Sequence, residues 1–387
     1  MCLKFTRPAA AVILAEVLAD LTRSWRSASD AKAPLRFEIA DDHTTAAQAF
    51  QKACAGTGLL WQGDFQNARQ LLQAMGRRAI PSKHKAKSPL VLPSAFHAYR
   101  MTQAQRARTL SMLVVRIEAD HTMALRRAPD WREAMAEAWG PPDGRARLVS
   151  LRELLGVVSA HEWRRKGVFI PELEGNAHPS IHPHYGVFSP VRGEYLALVQ
   201  RAPLPDLRLA FDIGVGTGVL SALLLHRGVR QVVATDTNQR ALACAADNLA
   251  RLQMQDRVQL LQTHLFPPGR APLVVCNPPW LPGKASSLLD QAIYDEDSRM
   301  LRGFLQGLAS HLEPGGEGWL ILSDLAERLQ LRPRAQWMQW VADAGLQVVG
   351  EDQVSPTHPK SQDSSDLLYE ARRHERTSLW RLTAAPA

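Results

Sequence analysis

The 387-residue sequence predicts an α/β protein whose second half is a mostly parallel sheet covered by helices on both faces. Three observations point there. From about residue 205, apolar runs such as "PLVVC" (272–276) alternate with segments of helical period. The glycine-rich "DIGVGTG" (212–218) sits where one such run gives way to a helix. "NPPW" (277–280) ends another run abruptly, because two proline rings fix two φ angles and remove two backbone donors. A rigid polar and aromatic corner after a parallel strand lies where open α/β sheets take their ligands.

The elements follow in order. Residues 1–155 read as a mainly helical domain, since "TTAAQAFQKACAGTG" and "DFQNARQLLQAMGRR" carry apolar residues at three- and four-residue spacing. "LSMLVVRIEAD" admits a strand there, and "GPPDG" (140–144) a loop. Residues 156–204 connect to the second domain, 205–387. In it "LRLAFDIG", "RQVVATD", "RVQLLQ", "PLVVCN" and "EGWLILS" read as strands. "GVLSALLLHRG", "NQRALACAADNLARL" and "SRMLRGFLQGLASHL" read as the helices between them. A helix over "AQWMQWVADAG" precedes two β segments, "LQVVGEDQV" and "TSLWRLTA", suited to antiparallel pairing across a polar stretch at 357–375.

Charge divides the chain. Residues 1–155 hold 23 Lys and Arg against 14 Asp and Glu, an excess of +9, while the remainder holds 23 against 24. Lys83, Lys85 and Lys87, with Arg77 and Arg78, form the densest basic patch, suited to tracking phosphates or to a solvated loop. The four cysteines (Cys2, Cys54, Cys244, Cys276) show no CxxC spacing, which argues against a disulfide framework or zinc knuckle and suits a reducing cytoplasm. No apolar run reaches membrane-spanning length. "AAAVILAEVLADL" is broken by Glu16 and reads as an amphipathic helix rather than a signal peptide. His178, His182 and His184 lack a carboxylate or cysteine to complete a metal site, so no metal is expected.

Asp212, Gly214, Gly216 and Gly218 have G-x-G-x-G spacing led by an acid, not the G-x-G-x-x-G of a dinucleotide fold. The acid would repel a pyrophosphate but suits a cationic ligand. One strand later, Asp236 ends "VVATD", placed to accept from both hydroxyls of a ribose. Loop and acid together point to an adenosyl cofactor.

Asp212–Gly218, Asp236 and Asn277-Pro278-Pro279-Trp280, in this order and spacing, resemble the class I S-adenosylmethionine-dependent methyltransferases. The likeness is to the small-domain type that methylates planar nitrogens, in RNA guanine-N2 and adenine-N6 and in release-factor glutamine. It covers roughly residues 180–345. It implies a Rossmann-like, doubly wound seven-stranded sheet with a C-terminal antiparallel hairpin, and S-adenosylmethionine held by Asp212, Gly214, Gly216, Gly218, Asp236 and Asn277. It also implies catalytic roles for Asn277, Pro278 and Trp280. A conjugated amine is a weak nucleophile; the Asn277 side-chain oxygen and the Pro278 carbonyl would accept its hydrogens, and Trp280 would stack on the planar group.

By the same resemblance Phe188, Pro190, Arg192 and Glu194 are candidate contacts over the site. Relatives often carry an acid for the adenine where this chain offers Thr263 or His264. Tyr294, Asp295 and Asp297 either line the target side or cap a helix. The expected substrate is an exocyclic amine of a nucleobase, RNA before DNA, gripped through Lys83, Lys85 and Lys87. The alternative is a glutamine amide in a translation protein.

Overall fold

The computed structural model describes residues 23–79, 92–176, 178–191, 193–356, 366 and 368–386. Two compact units emerge, one of residues 1–89 with 98–161, the other of 90–97 with 162–387. The division after residue 161 falls six residues beyond the boundary read from composition.

The first unit contains the two expected helices, Ala46–Cys54 and Phe65–Arg78. The first opens on a capping box between Thr45 and Gln48. Beside these and further helices, the unit holds a five-stranded sheet. Its strands are β1 (Trp25–Arg26), β2 (Arg36–Ala40), β3 (Thr57–Trp61), β4 (Leu113–Ile117) and β5 (Arg147–Ser150), in the order β1-β5-β4-β3-β2. Of these only β4 was legible. β4 is four apolar residues in five, whereas β1 and β5 are only two and four residues long and β2 is interrupted by Glu38.

The connecting segment has structure of its own. A short antiparallel pair joins β6 (Val168–Phe169) to β7 (Ser180–Ile181). The helix Glu194–Arg201 then buries Tyr195, Leu196, Leu198 and Val199 in the core of the second sheet.

That sheet has seven strands, as the resemblance implies. They are β8 (Leu209–Ile213), β9 (Gln231–Asp236), β10 (Val258–Gln262), β11 (Ala271–Cys276), β12 (Leu312–Ser323), β13 (Leu346–Val354) and β14 (Thr377–Ala384), ordered β10-β9-β8-β11-β12-β14-β13. The first five run parallel, and β14 is antiparallel to both β12 and β13. One face packs a cluster including Leu220, Leu223 and Trp319; the other packs Phe304, Leu308 and Trp337. Every residue of β11 is buried, which explains why it reads as continuously apolar. Strand order reverses at β8, with β9 on one side and β11 on the other, so a crevice opens at the carboxyl ends of these three strands.

Candidate cofactor and methyl-transfer site

Register places the singled-out residues side by side. Ile213 pairs with Thr235 of β9 and with Cys276 of β11. Gly214, Asp236 and Asn277 therefore leave three neighbouring strands at one level. The backbone amides of Gly214 and Val215 both donate to the Thr235 carbonyl, at 2.9 and 2.8 Å, which curls the loop over the end of β9. Gly214, Gly216 and Gly218 all have positive φ (82°, 52° and 82°). Their surroundings differ. A Cβ on Gly214 would meet the Met300 methyl at 2.9 Å, and one on Gly218 would meet Ala245 at 3.2 Å, whereas one on Gly216 would find nothing nearer than 4.0 Å. The first and third glycines serve packing, and the middle one faces open space.

Two carboxylates flank this loop. Asp212 is fully buried; one oxygen accepts from Ser221 Oγ at 2.6 Å and the other, Oδ1, has no partner. Burial pushes its pKa up to about 6 against the opposing pull of Ser221. Asp236 is half-buried and accepts from the Asn238 amide at 2.8 Å and the Gly216 amide at 3.2 Å. Burial raises it too, offset by those amides. Ser221 escaped the sequence reading, although a lone hydroxyl in the apolar helix Val219–His226, nine residues after the acid, is a legible signal.

The corner after β11 is tied internally. The Trp280 indole N–H donates to Asn277 Oδ1 at 2.9 Å, which fixes the direction of the amide. Pro278 is buried, Asn277 and Trp280 are half-buried, and the Trp280 ring packs against both core clusters. Part of the ring thus serves the core as well.

Behind the corner lies Arg332, 1 % exposed. Its guanidinium donates to the Trp280 carbonyl and to Ser298 Oγ, each at 3.1 Å. Burial lowers its pKa to about 10, with Asp295 acting in the other direction. Asp295 in turn accepts from the amides of Met300 and Leu301, at 3.0 and 3.1 Å, as a cap on the helix Arg299–His311. It also exchanges backbone hydrogen bonds with Leu281 and Gly283. Asp295 is a capping residue, the second of the two expectations for it. Asp297 is half of a left-handed pair with Ser298 (φ 57° and 53°), and Tyr294 lies against Phe96, 6.4 Å between ring centres. Arg332 was missed because nothing in "LRPRA" marks an arginine as buried.

The remaining candidates are distributed as follows. Phe188 is exposed, Pro190 buried and Glu194 half-buried. Arg192, Lys83, Lys85 and Lys87 lie outside the described residues. Thr263 donates its amide to the Asp236 carbonyl at 3.2 Å, and His264 is exposed. His182 Nδ1 bonds the Arg164 carbonyl at 2.6 Å, and His184 Nε2 meets Asp247 at 2.8 Å. Among the described residues no group of three or more His, Cys, Asp or Glu is placed to hold a metal, and no helix is long and apolar enough to cross a membrane.

With this geometry established, residues 180–331 match the family model described as the methyltransferase small domain. The matched stretch is about two fifths of the chain. It holds β8 to β12, both glycine-loop carboxylates and the Asn277 corner. The chain is 29% identical over 139 residues to a release factor glutamine methyltransferase of Cereibacter sphaeroides, covering 32% of this chain and 50% of that protein. It is 36% identical over 119 residues to a ribosomal protein uL3 glutamine methyltransferase of Bordetella pertussis, covering 30% and 40%. A ribosomal RNA small subunit methyltransferase C of Erwinia tasmaniensis is 33% identical over 107 residues, covering 27% and 28%. The chain thus spans half or less of these relatives' own length.

Proposed function

We propose that the protein is an S-adenosylmethionine-dependent N-methyltransferase acting on an exocyclic amine of a nucleobase, in RNA before DNA. The observation that carries this reading is the alignment of Gly214, Asp236 and Asn277 at the ends of adjoining strands, with the following Gly216 facing open space beside the Asp236 carboxylate. The residues fit the cofactor. The unpartnered Asp212 Oδ1 and the carboxylate of Asp236 supply negative potential and acceptors for a cationic ligand with ribose hydroxyls. When bound, S-adenosylmethionine supplies an electrophilic methyl group on a sulfonium.

The protein's part is orientation and electrostatics. Asn277 Oδ1 keeps one acceptor direction for Trp280 and leaves the other for an amine hydrogen of the target. The Pro278 carbonyl takes the second hydrogen and draws the nitrogen lone pair out of conjugation. The acceptors are held in place beforehand, so no reorganisation is needed in the transition state. A base inside a helix or stacked loop must be flipped out to reach them.

A second reading, methylation of a glutamine amide in a translation protein, is favoured by the names of two of the relatives above. The +9 excess of residues 1–155 favours a polyanion. Incubating the protein with methyl-labelled S-adenosylmethionine in a lysate, then digesting with ribonuclease or protease, separates the two. Label released by ribonuclease is expected; label released only by protease overturns the nucleobase reading.

A further inference from the structure

The basic excess of the N-terminal part is concentrated in one uninterrupted stretch. From Phe65 to Ile117 the chain carries ten Lys and Arg and not one Asp or Glu. That stretch alone exceeds the whole excess of residues 1–155, 23 − 14 = +9. Its described portion is chiefly two helices, Phe65–Arg78 and Leu92–Leu110. They meet where a Cβ on Gly76 would lie 3.9 Å from the Nη2 of Arg106. Arg106 therefore adjoins the turn that bears Arg77 and Arg78, both exposed.

None of these three arginines has a carboxylate partner among the described residues. Lys52, Arg126, Arg127 and Arg132 of the same unit are instead paired, with Glu38, Asp42, Asp64 and Asp130. Helix polarity does not account for the cluster. The carboxyl end of a helix carries about half a negative charge, which one cation satisfies. Three uncompensated guanidinium groups repel one another, a cost that suits a surface whose counter-charge comes from outside. Arginine forks match phosphate oxygens. Met101 is an exposed large apolar side chain on these helices.

We infer that Arg77, Arg78 and Arg106, on the acid-free helix pair, form a docking surface for the phosphate backbone of RNA, gripping it without regard to sequence. The proposal rests on the nucleobase reading of the substrate. It takes the phosphate backbone as its ligand, because phosphate contacts position a nucleic acid and carry no base information.

The test uses the full chain and fluorescein-labelled ribosomal RNA fragments, with affinity measured by anisotropy across a salt series. The variant R77Q/R78Q/R106Q is compared with K52Q/R126Q/R132Q, which loses the same three charges from paired positions. The first is expected to flatten the slope of log affinity against log salt by about two to three units, at roughly 0.7–0.9 per phosphate contact. The second should change it by less than about one unit. Circular dichroism and S-adenosylhomocysteine affinity identical to wild type establish that both variants fold. Equal flattening by the two variants, or a preference of the wild type for an acidic protein fraction over RNA, overturns the surface. Methyl label in RNA with an unaltered slope sinks the surface alone. Label in protein with a flattened slope sinks the substrate reading and leaves the surface.

Discussion

Catalysis and cofactor binding should separate at Asn277. Its side-chain oxygen accepts from the Trp280 indole and, under the reading above, from the target amine. Asn277→Ala is expected to lower turnover by roughly two to three orders of magnitude, the scale for a preorganised polar contact. S-adenosylhomocysteine affinity, measured by calorimetry, should hardly move; turnover like the wild type would remove the amine-activation role. Asp212 gives a pH-dependent counterpart. Burial raises its folded-state pKa from 3.8 to about 6, so between these values the folded protein holds a proton that the unfolded chain releases. Its contribution to stability is present at low pH and is lost as pH rises through about 6. A cationic ligand prefers the ionised form, so cofactor affinity should rise with pH between about 5 and 7, by at most about tenfold per unit. Calorimetry across that range should show the rise in the wild type and a flat profile in Asp212→Asn. A flat wild-type profile would dissociate Asp212 from the ligand.

At the scale of elements, the segment from Asp295 to Met300 ties the two binding loops together. Asp295 holds the chain just after the Asn277 corner by backbone bonds, and the Met300 methyl closes against Gly214. Arg332 clamps the same corner from behind. Arg332→Ala would leave the Trp280 carbonyl and the Ser298 hydroxyl short of a buried partner, for a loss of about 1–3 kcal/mol in urea unfolding. Cofactor affinity should survive better than turnover, since the clamp acts on the corner. A change below about 1 kcal/mol would show that the guanidinium is dispensable. Gly218 offers a cleaner comparison. Gly218→Ala combines a φ of 82° with a 3.2 Å approach to Ala245, whereas Gly269→Ala has φ 95° and nothing within 4 Å. Both should lose about 1–2 kcal/mol from backbone strain, and Gly218→Ala more. Equal losses would mean that the Ala245 contact gives way freely. The glycine loop, Asp236 and the Asn277 corner could be read beforehand because backbone geometry restricts which residues can stand there. Arg332 could not, since burial of an arginine depends on partners drawn from residues 280, 295 and 298, far away in sequence.

For the whole molecule, the contrast in legibility between the two units has a physical root. β8, β11 and most of β12 are buried, and helices follow β8, β9 and β11, which writes a clear pattern into the sequence. β2 and β3 are five-residue strands whose apolar content is also compatible with the flanking helices. The two units should also respond differently to ligand. S-adenosylhomocysteine at about a hundred times its dissociation constant should stabilise whatever binds it by about 2.7 kcal/mol. Hydrogen exchange should slow in β8, β9 and β11 and stay unchanged in β3 and β4. Equal slowing in β3 and β4 would show that the N-terminal unit shares the ligand's effect.

The place of β14 sets the timetable by which such a protein can be completed on the ribosome. β14 follows β13 in sequence yet lies between β12 and β13 in the sheet. The Arg381 guanidinium on β14 meets the Glu317 carboxylate on β12, with 2.7 Å from Nε to Oε2. Synthesis runs from the amino end, so β8 to β12, with both binding loops, emerge while β12 still has a bare edge. β13 has no partner in the sheet until β14 arrives. An open edge on a largely buried strand is a template for association with other chains. The nascent protein therefore passes through a state whose site is largely formed but whose sheet is open, the interval in which a chaperone or a premature stop would matter most.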